Sequence, residues 1–224
     1  MTISYNQNRY LVANSLREAR AIHALSILDI GAGSPMSAVQ IASSVSKYLA
    51  IEVCPDKAQR LRSKRLNVIC DEFPCHIECK YDLVIASHSM PSDPIGIKVF
   101  VDAAWQCVEQ SGRLVLVTFS DPISNLFGED LRHSASYQGR RPKIEILRSL
   151  VSDLGESRHY SVHSFLSSDS EKELADEIIK WDSRLSDNVM LNRDAIIVAL
   201  QRRFKVENLF HFPIQHDVFT ADRY

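Results

Sequence analysis

Residues 27–33 read Ile-Leu-Asp-Ile-Gly-Ala-Gly. The apolar run predicts a buried β-strand with one acid, Asp29, inside it. Gly31, Ala32 and Gly33 then form a short glycine loop. The segment Met36–Val45 has apolar residues at helical spacing and predicts a helix. Strand, glycine loop and helix together make a cradle for a nucleotide-like ligand. Glycines let the backbone approach the ligand, and N–H groups at the helix start face it.

The spacing selects among such ligands. A dinucleotide site uses Gly-x-Gly-x-x-Gly/Ala, and the third small position here is Met36. Asp29 lies two residues before the first glycine and would repel a pyrophosphate. It would attract a ligand that carries an ammonium and a sulfonium. Asp29-x-Gly31-x-Gly33 resembles the first motif of class I S-adenosylmethionine-dependent methyltransferases. The family pattern is an acid followed by three alternate glycines, and Pro35 replaces the third. Proline is tolerated in the first turn of a helix, where its missing N–H has no intrahelical partner to lose. The expected result is a stiffer loop with an altered grip on the methionine end.

Four further runs extend the resemblance. Tyr48–Val53 is a second strand-like run with Glu52 at its carboxyl end, 21 residues after Gly31. An acid at that distance is where a doubly wound fold places its ribose-hydroxyl acceptor. Leu66–Asp71 predicts a third strand ending in Asp71, and the resemblance implies that a residue there accepts from the adenine amino group. Tyr81–His88 resembles the fourth strand, whose end faces the methyl group. Gly112–Phe119 resembles the fifth. The resemblance covers residues 26–120, about half of the chain. It implies an α/β, doubly wound, mostly parallel seven-stranded sheet with an antiparallel last strand. It also implies S-adenosyl-L-methionine as cofactor, held by Asp29, Gly31, Ala32, Gly33, Glu52, Val53, Asp71, Glu72, Ser87 and His88.

Composition fits one domain. The 224 residues can bury a sizeable core, and 45% hydrophobic with 24% charged residues is ordinary for a globular chain. No run approaches a membrane span, and the polar N-terminus lacks a signal-peptide core, so a cytoplasmic monomer or homodimer is expected. Of the five cysteines, Cys54, Cys70 and Cys107 read as reduced thiols in or beside the core. Cys75, His76 and Cys79 fit no zinc spacing, and no metal is expected. The net charge of −2 argues against a nucleic-acid substrate. The basic stretch Lys57–Arg65 reads as a solvated helix face. Arg132–Lys143 is either a grip for an anionic substrate group or a loop feeding a basic helix start.

Beyond residue 120 the pattern is looser. Asp121–Pro142 reads as a long loop, and Lys143–Leu154 as a helix with Gly155 as its stop. His159–Leu166 predicts a sixth strand and Phe210–Thr220 the last one. Between them stand two predicted helices, Ser170–Trp181 and Arg193–Phe204. A bare class I methyltransferase has a short hairpin there, so roughly 40 residues are inserted. Residues 168–205 are expected to form a helical cap on the substrate pocket. At the other end, residues 1–25 predict a helix with Tyr5, Asn6, Asn8 and Tyr10 at its start. Those side chains either face the substrate or merely cap the helix.

The implied chemistry is methyl transfer from a sulfonium sulfur to a nucleophile, with most of the rate coming from alignment. The sulfonium loses its charge in transfer, so Asp29 is assigned to the ammonium end or to the loop, away from the reacting methyl. His88, at the end of the fourth strand, is the leading candidate for a base or a substrate-orienting group. Tyr5 and Tyr10 are the other catalytic candidates. Ser87, Ser89, Met90 and Phe119 would line the same edge. His133, His211 and His216 rank below His88, and Asp121 and Asn125 are pocket groups or loop caps. The expected activity is a small-molecule methyltransferase. Transfer or cyclisation of the aminocarboxypropyl arm, RNA or protein methylation, and a non-catalytic binding module remain as alternatives.

Overall fold

The computed structural model describes residues 4–5, 7–120, 141–181 and 193–224. They contain nine strands: β1 (Ser4–Tyr5), β2 (Ser26–Ile30), β3 (Lys47–Ile51), β4 (Val68–Ile69), β5 (Tyr81–Ser87), β6 (Val108–Phe119), β7 (Glu156–Ser168), β8 (Lys205–Val206) and β9 (Leu209–Asp222). The helices among them are α1 (Gln7–Ala21), α2 (Pro35–Ala42), α3 (Pro55–Ser63), α4 (Pro94–Gln106), α5 (Arg141–Ser152), α6 (Glu171–Trp181) and α7 (Arg193–Arg203).

These residues form two compact units. The larger comprises residues 8–119, 141–162 and 216–224. Its strands run in the order β7-β9-β6-β5-β2-β3-β4. Strands β4, β3, β2, β5 and β6 pair in parallel. Residues 216–222 of β9 lie antiparallel to β6, from Phe119↔His216 to Arg113↔Asp222. The seven-stranded sheet with an antiparallel last strand is therefore present.

Both faces of the central strands are covered, which is why they read as continuous apolar runs. Leu28, Ile30, Val84, Ala86, Leu114 and Leu116 join Ile97, Phe100 and Val101 of α4 and Leu147 and Val151 of α5. The alternate residues Ile27, Leu83, Ile85, Val115 and Val117 join Val12 and Ala19 of α1, Ala38 and Ile41 of α2, and Leu61 of α3. The period-two switch between the clusters makes the fold doubly wound.

The smaller unit contains the described parts of residues 1–7, 120–139 and 163–215. In it β1 pairs antiparallel with β7 and β8 with β9. Helices α6 and α7 pack together, burying Leu174, Ala175, Ile178, Ile196, Ala199 and Leu200. Arg193 clasps Asp176 between them. The two helices expected in the insertion are thus present, with the two-residue β8 after them.

The third strand is shorter than expected. Only Val68 and Ile69 pair with β3, because Asp71, Glu72 and Pro74 follow at once and the strand lies at the sheet edge. The fifth starts earlier, at Val108, and absorbs an irregularity between Tyr81 and Leu83 of its partner, where Ser111 takes φ 64°. Cys70 is exposed, not a core thiol, since it follows that short edge strand; Cys54 and Cys107 are half-buried. The basic residues of α3 are exposed, as a solvated face requires. No helix of the described residues is long and apolar enough to cross a membrane.

Candidate functional site

The glycine loop leaves β2 at its carboxyl end. Gly31 takes φ +76° and Gly33 φ +55°, the left-handed region that favours glycine. The Gly31 N–H donates to the Ile51 carbonyl at 2.8 Å, tying the loop to the end of β3. Space is a second constraint at Gly31. A Cβ there would lie 2.3 Å from Cβ of Ser89, whose hydroxyl donates to the Ile30 carbonyl at 2.7 Å. Pro35 opens α2 as its first residue, and the Ser34 carbonyl accepts from Ala38 N–H at 3.0 Å. The proline in place of the third family glycine therefore leaves the helix start intact.

Two carboxylates stand beside the loop. Asp29 pairs with Ala50 in register, so strand alternation brings Asp29, Tyr48, Ala50 and Glu52 to one sheet face. Glu52 is 5% exposed. Its Oε2 accepts from Gly33 N–H at 2.9 Å and its Oε1 from Cys54 N–H at 3.0 Å. This acid locks the glycine loop to the turn after β3. Asp29 is 6% exposed, and its Oδ2 accepts from the Tyr48 hydroxyl at 2.7 Å. Among the described residues, no donor engages its Oδ1. Burial pushes the Asp29 carboxyl up to about 6, against the Tyr48 hydrogen bond and with the help of the nearby Glu52 charge. Burial and the Asp29 charge also drive the Tyr48 hydroxyl far above its usual range. A buried carboxylate with one oxygen unengaged, facing a second carboxylate, suits a cationic ligand and disfavours a pyrophosphate.

The turn after β5 forms the other wall. His88 takes φ 59°, a strained conformation for a residue with a side chain, and its N–H donates to the Val117 carbonyl at 2.9 Å. Its ring stacks on Phe119 with centroids 3.7 Å apart. His88 Nε2 lies 3.1 Å from Nδ1 of the fully buried His216, and His88 Nδ1 is itself buried. Lys143 of α5 donates to the Met90 and Pro91 carbonyls at 3.2 and 2.8 Å. Asp93 caps α4 by accepting from Gly96 N–H. The turn is thus held from both sides and at its far end.

The structure gathers Asp29, Gly31, Ala32, Gly33 and Glu52 at the carboxyl ends of β2 and β3, and the Ser87–Met90 turn reaches them through the contact of Ser89 with Gly31. Val53 is 63% exposed beside Glu52. Asp71 and Glu72 are exposed, and Asp71 accepts from Glu72 N–H. Tyr10 is 38% exposed on the first turn of α1. Tyr5 belongs to β1 of the smaller unit, and its side chain lies outside the described residues. His211 pairs with Ser167 in that unit. Asp121, Asn125, Arg132, His133 and Arg140 lie outside the described residues. Two participants escaped the sequence reading. In the sequence Tyr48 signals only a strand residue, although the alternation Tyr48, Ala50, Glu52 places it on the face of the acids. His216 ranked below His88, yet the β6–β9 register sets it opposite Phe119, in reach of His88.

No sequence profile of a protein family matches the chain, and no curated protein matches it by sequence. Solved structures do match. BH2331 of Bacillus halodurans C-125, assigned as a methyltransferase, is 17% identical with TM-score 0.59, covering 95% of this chain and 98% of that one. The plantazolicin methyltransferase BamL, in complex with a desmethyl analog and S-adenosylhomocysteine, is 12% identical with TM-score 0.56, covering 98% and 86%. The N-methyltransferase NodS from Bradyrhizobium japonicum WM9 is 12% identical with TM-score 0.54, covering 96% and 98%. With its strand order, its antiparallel last strand and these matches along nearly its whole length, the chain has the fold of the class I S-adenosylmethionine-dependent methyltransferases.

Proposed function

We propose that this protein binds S-adenosylmethionine and methylates a small-molecule acceptor. The observation that carries the reading is the paired buried carboxylates, Asp29 and Glu52, bracketing a left-handed glycine loop in this fold. The net charge of −2 and the inserted helices favour a small acceptor over a nucleic acid. Among the similar structures are an N-methyltransferase and the plantazolicin methyltransferase.

When bound, S-adenosylmethionine supplies an electrophilic methyl group on a sulfonium sulfur. The chain's own residues bind and orient. In this reading Glu52 accepts from ribose hydroxyls while it still holds the loop. Asp29 attracts the ammonium, and Gly31 and Gly33 give the backbone close access. The Ser87–Met90 turn, buttressed by Phe119, His216 and Lys143, presents the acceptor side. His88 has Nε2 committed to His216 and Nδ1 buried, so its role in this geometry is to hold the turn and position the acceptor. His88→Ala is therefore expected to raise KM for the acceptor and leave the shape of the pH–rate profile unchanged. A turnover loss of roughly 10²–10⁴-fold with a lost histidine-like limb would make it the base instead.

The direct test incubates the purified protein with labelled S-adenosylmethionine and a metabolite extract. A labelled methyl product with S-adenosylhomocysteine is expected. Methylthioadenosine as by-product would mean that the aminocarboxypropyl arm moved, and no turnover of the cofactor would contradict the reading.

A further inference from the structure

We propose that Tyr48 tunes the site for nucleosides that carry an ammonium, by holding one oxygen of Asp29 so that the other is presented, ionised, to the cation. This rests on the reading of the site as one for S-adenosylmethionine. Tyr48 is 7% exposed and Asp29 6%, so neither depends on solvent for its hydrogen bond. The Tyr48 hydroxyl donates to Oδ2 at 2.7 Å, and no donor among the described residues engages Oδ1. The strand fixes the direction. Asp29 precedes Gly31 by two residues and shares its face with Glu52, each of whose oxygens already accepts one backbone N–H, from Gly33 and Cys54. A cation arriving along the glycine loop meets Oδ1 as the unsatisfied acceptor.

The physical cause is the cost of ionising a buried acid. Removal from water and the Glu52 charge both disfavour the Asp29 carboxylate, and the Tyr48 hydrogen bond favours it. Without that donor the Asp29 carboxylate is harder to ionise and less fixed in direction, and its pull on an ammonium weakens. The amino-acid arm then loses its anchor while the adenosine contacts stay. A tyrosine that merely filled the core would affect all adenosine ligands alike.

Calorimetry with three probes separates these roles. S-adenosylhomocysteine carries ammonium and carboxylate, decarboxylated S-adenosylmethionine keeps the ammonium, and 5′-methylthioadenosine has neither. In Tyr48→Phe, affinity for the first two is expected to fall about tenfold, with that for methylthioadenosine changed less than about twofold. Asp29→Asn, which keeps a polar group on the strand, is expected to show the same selective loss and covers the case in which Tyr48→Phe folds poorly. Parallel loss for all three probes, or wild-type affinities in either folded variant, would overturn the role of Tyr48. Failure of the wild-type protein to bind any of the three would overturn the cofactor reading itself.

Discussion

Asp29 is a buried acid at the glycine loop, held above the ordinary carboxylate range by that burial. Burial pushes its carboxyl up to about 6 in the folded chain, against about 4 for an unfolded carboxyl. The folded state therefore binds the extra proton between those values, and the Asp29 contribution to stability falls as pH rises from 4 through 6. Above that window the charge costs on the order of 2–3 kcal/mol. Urea denaturation should find Asp29→Asn more stable than wild type at pH 7.5 by roughly that amount, with the gap closing toward pH 4. A pH-independent gap would mean that the acid is not strained. Asp29 and Gly31 were legible from residue type and spacing alone. Tyr48 was not, because its meaning comes from the register of two strands that are separated in sequence by a helix.

At the scale of elements, the strands buried on both faces were legible as apolar runs, and the largely exposed β7 was legible through its alternation and β-branching. Ile27–Ile30 and Tyr81–Ser87 lie within central strands with apolar residues in both core clusters. The two-residue strands β1 and β8 are too short for a period to register, and β4 was legible only as a longer run than the one that pairs. The clamp on α1 was illegible too, since it joins residues 95 and 109 positions apart. Arg113 of β6, 7% exposed at its side chain, donates to Glu18 of α1 at 2.7 Å and to both oxygens of Asp222 in β9. Tyr160 adds a bond to Glu18 at 2.7 Å. Removing the guanidinium takes a shared partner from the buried Glu18 and the half-buried Asp222. Arg113→Ala should lose about 3–5 kcal/mol of stability by urea denaturation. A loss below about 1 kcal/mol would show that the network is solvated.

For the whole molecule, the order of elements along the chain fixes the larger unit. Alternating strands and helices force parallel pairing with helices on both faces, and β9 returns beside β6 as the antiparallel last strand. That much was legible from residue 26 onward. The insertion was legible as two helices, but not its membership of a separate compact unit that also takes in parts of β7 and β9. We propose that residues 168–205 influence the choice of acceptor. Once the labelled product identifies that acceptor, hydrogen exchange in α6 and α7 should slow when it is added with S-adenosylhomocysteine. Exchange indifferent to ligand would assign the insertion a structural role.

The central claim is that the carboxyl edge of this sheet holds an adenosyl cofactor through Glu52 and the glycine loop. Titration calorimetry of the wild-type chain and Glu52→Ala with S-adenosylhomocysteine, with NADH as control, tests it most directly. The account predicts saturable binding of S-adenosylhomocysteine to wild type, weakened by about 1.5–3 kcal/mol in Glu52→Ala through loss of a charged acceptor, and no binding of NADH. Binding of NADH without S-adenosylhomocysteine, or equal affinity in Glu52→Ala, would contradict it.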